Sequence, residues 1–165
     1  MAVVGAGRMG LTHAENLVNR IRGARLVAVT TSSAERAEAV RRCCGDVPVH
    51  RTIDRLIESE ELDAVIISSS TSAHVENVER CASAGLHILC EKPLALDLEG
   101  CDRAASAAQA AGVKRWAVIS TAVDQAPVRI LGMPLQRAFL NWVGPRRLMA
   151  LYHSKNVRRS IVATL

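Results

Sequence analysis

Aromatic residues are nearly missing from this chain: two Trp, one Tyr and one Phe among 165 residues, all after residue 113. The first two thirds of the sequence therefore have no Phe, Tyr or Trp at all. Long apolar runs are missing too. Apolar residues make up 49% of the chain, yet no stretch approaches the ~18 residues that a membrane span requires. The start, Met1-Ala2-Val3-Val4-Gly5, has no basic segment leading into an apolar one, so a secretory signal is not expected. The five cysteines (Cys43, Cys44, Cys81, Cys90, Cys101) form neither a C-x-x-C pair nor a zinc spacing, and His50, His87 and His153 form no metal set with a carboxylate or thiol. An odd, scattered set of cysteines is expected to stay reduced in the cytoplasm.

Acidic residues are scarce at one end. Residues 1–113 carry 12 Lys/Arg against 15 Asp/Glu, whereas residues 114–165 carry nine against Asp124 alone. The net charge of +5 thus comes from the C-terminal third. Its basic residues are spread without a helical stripe or regularly spaced aromatics, so neither nucleic acid nor a membrane is the expected partner. Pro127, Pro134 and Pro145 interrupt the helical windows there. The division predicted is a folded unit over residues 1–120 and an irregular basic tail over 121–165. Loss of acids and of periodicity together is also what an out-of-frame translation would produce.

What is present before residue 113 is alternation. Short apolar runs at Ala2–Val4, Leu26–Thr30, Val47–Val49, Ala64–Ser68 and Ile88–Cys90 predict strands, and Trp116–Ser120 is a candidate sixth. Between them, Met9–Ile21, Ala34–Cys43, Ile53–Glu58, Ala73–Ala84 and Leu98–Ala111 predict helices. In the first, Leu11, Ala14, Leu17, Val18 and Ile21 recur at three and four. Ser33, Ser72 and Asp97 are placed to cap helices, and Gly112 to stop the last one. The strands are apolar nearly throughout, as expected when helices cover both faces of a sheet. Strand–helix alternation with short links predicts an α/β fold: a doubly wound parallel sheet of the Rossmann dinucleotide-binding type.

Gly5-Ala6-Gly7-Arg8-Met9-Gly10 matches G-x-G-x-x-G between a strand and an amphipathic helix. Gly5 would permit the tight turn, Gly7 the approach of a pyrophosphate, and Gly10 close packing of helix on strand. The helix N-terminus would offer amides and a positive dipole end to the phosphates. An acid at the end of the second strand would bind the ribose 2′-hydroxyl and favour NAD. Here that end reads Thr30-Thr31-Ser32-Ser33, followed by Arg36. This leaves room for a 2′-phosphate and keeps NADP open, although Arg36 reads equally as a solvated helix residue. The fourth strand ends in Ser68-Ser69-Ser70-Thr71-Ser72-Ala73-His74, where hydroxyls can line a cofactor cleft or cap the next helix. His74 can face the cleft or solvent, and His13 reads as a packed or surface residue. The fifth strand ends in Cys90-Glu91-Lys92-Pro93. Lys92 can hydrogen-bond a ribose or substrate hydroxyl and relay a proton, or be an ordinary solvated lysine. Pro93 fixes the backbone there, with a cis bond open to it.

Three segments point further: Gly5–Leu17 with its glycines and His13-Ala14-Glu15-Asn16, Asp63-Ala64-Val65-Ile66-Ile67, and Gly85-x-His87-Ile88-Leu89-Cys90-Glu91-Lys92-Pro93-Leu94. Together they resemble the N-terminal domain of the Gfo/Idh/MocA oxidoreductase family, inositol 2-dehydrogenases most of all. The Glu-Lys-Pro run is more specific than the glycines. The resemblance covers residues 2–113. It implies hydride transfer between NAD or NADP and a sugar or cyclitol hydroxyl such as that of myo-inositol, with a homo-oligomer left open. It implies that Gly5, Gly7, Arg8, Met9 and Gly10 hold the pyrophosphate and that Thr31 and Ser32 lie at the adenosine ribose. Ser68, Ser69, Ser70 and His74 would flank the adenosine and nicotinamide ribose. Glu91 and Lys92 would stand at the cofactor, with Lys92 the catalytic lysine. Family members continue into a second domain that carries the substrate pocket, and no counterpart of its opening motif follows Trp116. A nucleotide-binding remnant without turnover is therefore the competing expectation.

Overall fold

The computed structural model describes residues 1–117, 129–130 and 133–134, with side chains through residue 114. The elements in chain order are β1 (Ala2–Val4), α1 (Arg8–Asn19), β2 (Ala28–Thr30), α2 (Ala34–Cys44), β3 (Val49–His50), α3 (Ile53–Ser59), β4 (Ala64–Ile67), α4 (His74–Ser83), β5 (His87–Cys90), α5 (Leu98–Ala110) and β6 (Arg115–Ala117). A two-stranded antiparallel pair, β7 (Arg129–Ile130) and β8 (Met133–Pro134), follows.

The first six strands form one parallel sheet in the order β3-β2-β1-β4-β5-β6. The order reverses between β1 and β4, the switch point at which open α/β sheets bind ligands. Strand pleating sends alternate residues to opposite faces. Val3, Val29 and Ile66 join Ala14 and Leu17 of α1 and Val40 of α2 in one core. Val4, Val65, Ile67, Ile88 and Cys90 join Ile53 and Leu56 of α3, Val78 and Cys81 of α4 and Ala104 of α5 in the other. The continuous apolar strands are thus covered on both sides, as their sequence implied.

Local chemistry sets most helix starts. Ser33 accepts from the Arg36 amide at 3.3 Å, Thr52 from Arg55 at 3.3 Å, and Asp97 from Gly100 at 2.7 Å. Gly112, at φ +65°, closes α5. Two expectations need correction. Ser72 does not cap α4: a 3-10 turn, Thr71–Ala73, occupies that place, and the Ser72 hydroxyl donates to Ser70 Oγ at 3.2 Å. Val18 does not join the apolar face of α1: it is 45% exposed, because the stripe through Ala14 and Leu17 is narrower than the sequence period suggested. The strand expected over Leu26–Thr30 is trimmed to Ala28–Thr30, and that over Val47–Val49 shifts to Val49–His50. Of the strand expected over Trp116–Ser120, the described part, Trp116 and Ala117, lies in β6. Its remainder, His153 and most of the predicted tail lie outside the described residues. All five cysteines are free. No described helix is long and apolar enough to cross a membrane, and no described set of His, Cys, Asp and Glu could hold a metal ion.

Among the described glycines, the tightest surroundings are at the glycine turn. A Cβ on Gly10 would stand 1.9 Å from the Gly5 carbonyl oxygen, whereas a Cβ on Gly7 would meet nothing within 4 Å. Gly10→Ala is therefore expected to destabilise the domain by about 3 kcal/mol, at the upper end of overpacking costs. That is a fall in Tm of more than about 10 °C. Gly7→Ala should cost about 1 kcal/mol or less, the loss of a tolerated N-cap residue. Thermal melts of the two variants check the difference.

Candidate functional site

The C-terminal strand ends lie side by side on one rim. Beyond each strand, the next amide donates to the neighbouring strand: Thr31 N to His50 O at 3.0 Å, Gly5 N to Thr30 O at 3.1 Å, Ser68 N to Val4 O at 2.8 Å, and Glu91 N to Ile67 O at 2.8 Å. These steps bring Thr31, Gly5, Ser68 and Glu91 into one row. Lys92 thus stands on the same edge as the glycine turn, two strands away, or roughly 10 Å at ordinary strand spacing.

The glycine turn is shaped by contact with the end of β4. Gly5 has φ +98°, and a Cβ there would lie 2.7 Å from Ser68 O and 2.8 Å from Ser69 Cα. Only glycine fits both the dihedral and the space. Its amide is shared between the Thr30 carbonyl and the Thr30 hydroxyl, the latter at 3.2 Å. Gly7 is the N-cap of α1, which has neither a side-chain cap nor an acid in its first turn. The first turn of α1, Arg8, Met9 and Gly10, thus has no side-chain cap for its amides, and a Cβ on Gly7 would meet nothing within 4 Å, a pattern that suits an anion. Arg8 and Met9 are exposed.

The hydroxyls at the end of β2 are partly committed. Thr31 Oγ1 accepts from the Ser33 amide at 3.3 Å, Ser33 caps α2, and Ser32 is exposed. At the end of β4, Ser68 is half-buried. Ser69 Oγ accepts from Asn77 Nδ2 at 3.0 Å, and exposed Ser70 accepts from Ser72.

His74 lies neither at the surface nor with a free ring nitrogen. It is 2% exposed, with Nδ1 2.8 Å from Pro93 O and Nε2 3.1 Å from Ser69 O. Carbonyl oxygens only accept, so each contact is a hydrogen bond when its ring nitrogen carries a hydrogen. The ring bridges the loop after β4 to the turn after β5. The Lys92–Pro93 bond in that turn is cis.

Glu91 is buried, at 7% exposure. Its Oε1 accepts from His13 Nε2 at 2.7 Å, and its Oε2 from the Lys92 amide at 3.2 Å. Burial pushes the carboxyl up, but the His13 ring, the Lys92 amide and the Lys92 charge outweigh that and hold it below its ordinary value. An ionised carboxylate can only accept, so His13 Nε2 carries the hydrogen. His13 and Glu91 meet although they lie 78 positions apart, a partnership that reading the sequence missed. The one available signal was parity. Leu89 packs with the α1 core whereas Ile88 and Cys90 pack with the other, so Glu91 points toward α1. The Lys92 side chain is exposed on the rim.

A parallel sheet in this order, with a glycine turn at its switch point, is a nucleotide-binding Rossmann domain. The chain belongs to the Gfo/Idh/MocA oxidoreductase family: the family's NAD-binding Rossmann-fold model matches residues 1–118. It is 40% identical over 103 residues to a myo-inositol 2-dehydrogenase of Thermotoga maritima, covering 62% of this chain and 30% of that protein. It is 39% identical over 112 residues to the scyllo-inositol 2-dehydrogenase (NAD(+)) of Bacillus subtilis, covering 68% and 33%. A crystal structure of scyllo-inositol dehydrogenase from Lactobacillus casei, with bound NAD(H) and scyllo-inositol, superposes with a TM-score of 0.66. It has 31% identity and covers 70% of this chain and 34% of that one. The chain spans about a third of the length of the curated relatives it matches.

The sign of the Glu91 effect fixes a pH dependence. Its folded value is depressed, so it stabilises the fold fully above the ordinary glutamate range, near about 4.3. That contribution is lost as pH falls from there through the lower folded value. Glu91→Gln should cost about 1–3 kcal/mol at pH 7, the usual cost of breaking a buried charged hydrogen bond. It should also flatten the acid limb. Urea melts of both proteins between pH 3 and 7 test this, and parallel acid limbs would refute it.

Proposed function

We propose that this domain binds a nicotinamide dinucleotide across the rim between the ends of β1 and β4, and serves hydride transfer between that cofactor and a cyclitol or sugar hydroxyl. The observation that carries the reading is the row Thr31, Gly5, Ser68, Glu91, which aligns an uncapped helix N-terminus and Lys92 on one edge. The names of the inositol dehydrogenase relatives support the substrate class.

A nicotinamide dinucleotide held on this rim would supply the hydride acceptor or donor. The chain's own groups do the rest. The amides at the start of α1 hold the pyrophosphate, and the bare Cα of Gly7 lets it come close. The half-buried and exposed serines after β4 border the ribose. Each Glu91 oxygen accepts a hydrogen bond from the protein, one from His13 and one from the Lys92 amide, so its part is to hold the Lys92 turn. A carbinol that gives up hydride must also give up its hydroxyl proton, and Lys92 exchanges that proton in either direction. Thr31 and Ser32 take the place of the ribose-binding acid. Without a carboxylate to repel a 2′-phosphate, the site accepts NADP as well as NAD.

Titration of the full chain with each dinucleotide should saturate, with the two Kd values within about tenfold, or about 1.4 kcal/mol. Thr31→Asp should weaken NADP selectively. Gly7→Glu should weaken both at least about 100-fold, through like-charge repulsion at the pyrophosphate. Absence of saturable binding would overturn the reading. In assays over inositols and aldoses, Lys92→Ala should lower kcat by roughly 10²–10⁴, the range for a lost proton-transfer group, with Kd unchanged. Binding without turnover in the parent chain would favour the alternative, a nucleotide-binding domain that is not itself catalytic.

A further inference from the structure

The tripeptide Glu91-Lys92-Pro93 is gripped on either side of its lysine. The residue before Lys92 receives a hydrogen bond from His13 on α1, and the carbonyl of the residue after it faces His74 on α4. The two helices lie on opposite faces of the sheet: Ala14 and Leu17 of α1 belong to one core, Val78 and Cys81 of α4 to the other. Each histidine also connects to a second part of the rim. His13 lies on the helix that opens at Gly7, and His74 reaches the Ser69 carbonyl after β4.

We propose that His13 and His74 are positioning residues that clamp the Lys92 turn from both faces of the sheet, tying it to the glycine helix on one side and to the serine loop after β4 on the other. Lys92 itself is exposed, and its long side chain carries four rotatable bonds. A backbone anchored at both neighbours is what sets where its ammonium can reach. The proposal rests on the functional reading only in taking Lys92 as the group that needs placing.

The test is amide hydrogen exchange on the full chain without nucleotide, at one pH. It compares Glu91, Lys92 and Leu94 with Val3 of β1 and Val29 of β2, which pack on α1 but not on the Lys92 turn. His13→Ala and His74→Ala should each speed exchange of Glu91, Lys92 and Leu94 at least tenfold more than that of Val3 and Val29. A merely structural role would raise all five together, and that result overturns the proposal. Partial mimics refine it. His13→Gln, which retains a donor near the Nε2 position, should restore wild-type exchange at Lys92. His74→Asn, retaining a donor near Nδ1, should protect Leu94. His74→Gln, retaining one near Nε2, should protect the Ser69–Ser70 segment instead. Equal behaviour of the two His74 mimics would also overturn it, and this comparison holds where an alanine variant does not fold. Failure of dinucleotide titration with the clamp intact would sink the functional reading alone.

Discussion

The structure depends on a close approach of backbone to backbone at the sheet's switch point. Gly5 turns at a positive φ against the Ser68–Ser69 peptide, and Gly10 brings α1 onto the Gly5 carbonyl. No side chain can be inserted at either place without moving a strand or a helix, because the neighbouring atoms are main chain. This contact sets the angle at which α1 leaves the sheet. It therefore sets where the helix's unsatisfied amides point, and, one turn later, where His13 stands. Gly7, between the two, is free of contacts. Two glycines serve the packing and one leaves space for a ligand.

Polar burial follows from the same arrangement. The two cores are almost wholly aliphatic, and among the described residues the buried polar side chains are Thr30, His74 and Glu91. All three lie at the rim and each has a named partner: Thr30 the Gly5 amide, His74 two carbonyls, Glu91 a histidine and an amide. An apolar side chain at any of them would leave backbone or side-chain groups without partners in a desolvated place. Surface ion pairs such as Arg103 with Glu79 are exposed and contribute little by comparison. The charged chemistry that matters to the fold is concentrated where the strands end.

Elements with a local cause were legible in the sequence. The glycine spacing, the Ser33 and Asp97 caps and the apolar strands each depend on residues within a few positions of one another, and the parallel order follows from their alternation. The site was legible as a set of strand ends, because topology sends every parallel strand's C-terminus to one rim. What could not be read were partnerships across the sheet. His13 looked like a packed or surface residue and His74 like a cleft or solvent residue, because nothing local records that Glu91 lies over α1 or that Pro93 O lies over α4. Ser72 failed as a cap for a related reason: the loop after β4 is drawn into a 3-10 turn with its own hydroxyl contact to Ser70.

The division of the rim has a consequence for how binding and chemistry are linked. The amides proposed to bind the pyrophosphate belong to α1, and the lysine belongs to the turn after β5, with β4 between them. If these were independent loops, nucleotide bound at one would say nothing about the geometry of the other. Here the span is bridged twice, through His13–Glu91 on one face and through Ser69–His74–Pro93 on the other. Both bridges use short polar contacts in sites that water does not reach freely, where a hydrogen bond is stronger and its loss more costly. Through these contacts the helix that opens at Gly7 is joined to the residue before Lys92, and the serine loop to the residue after it. The backbone of Lys92 is flanked by these contacts while its side chain is exposed on the rim.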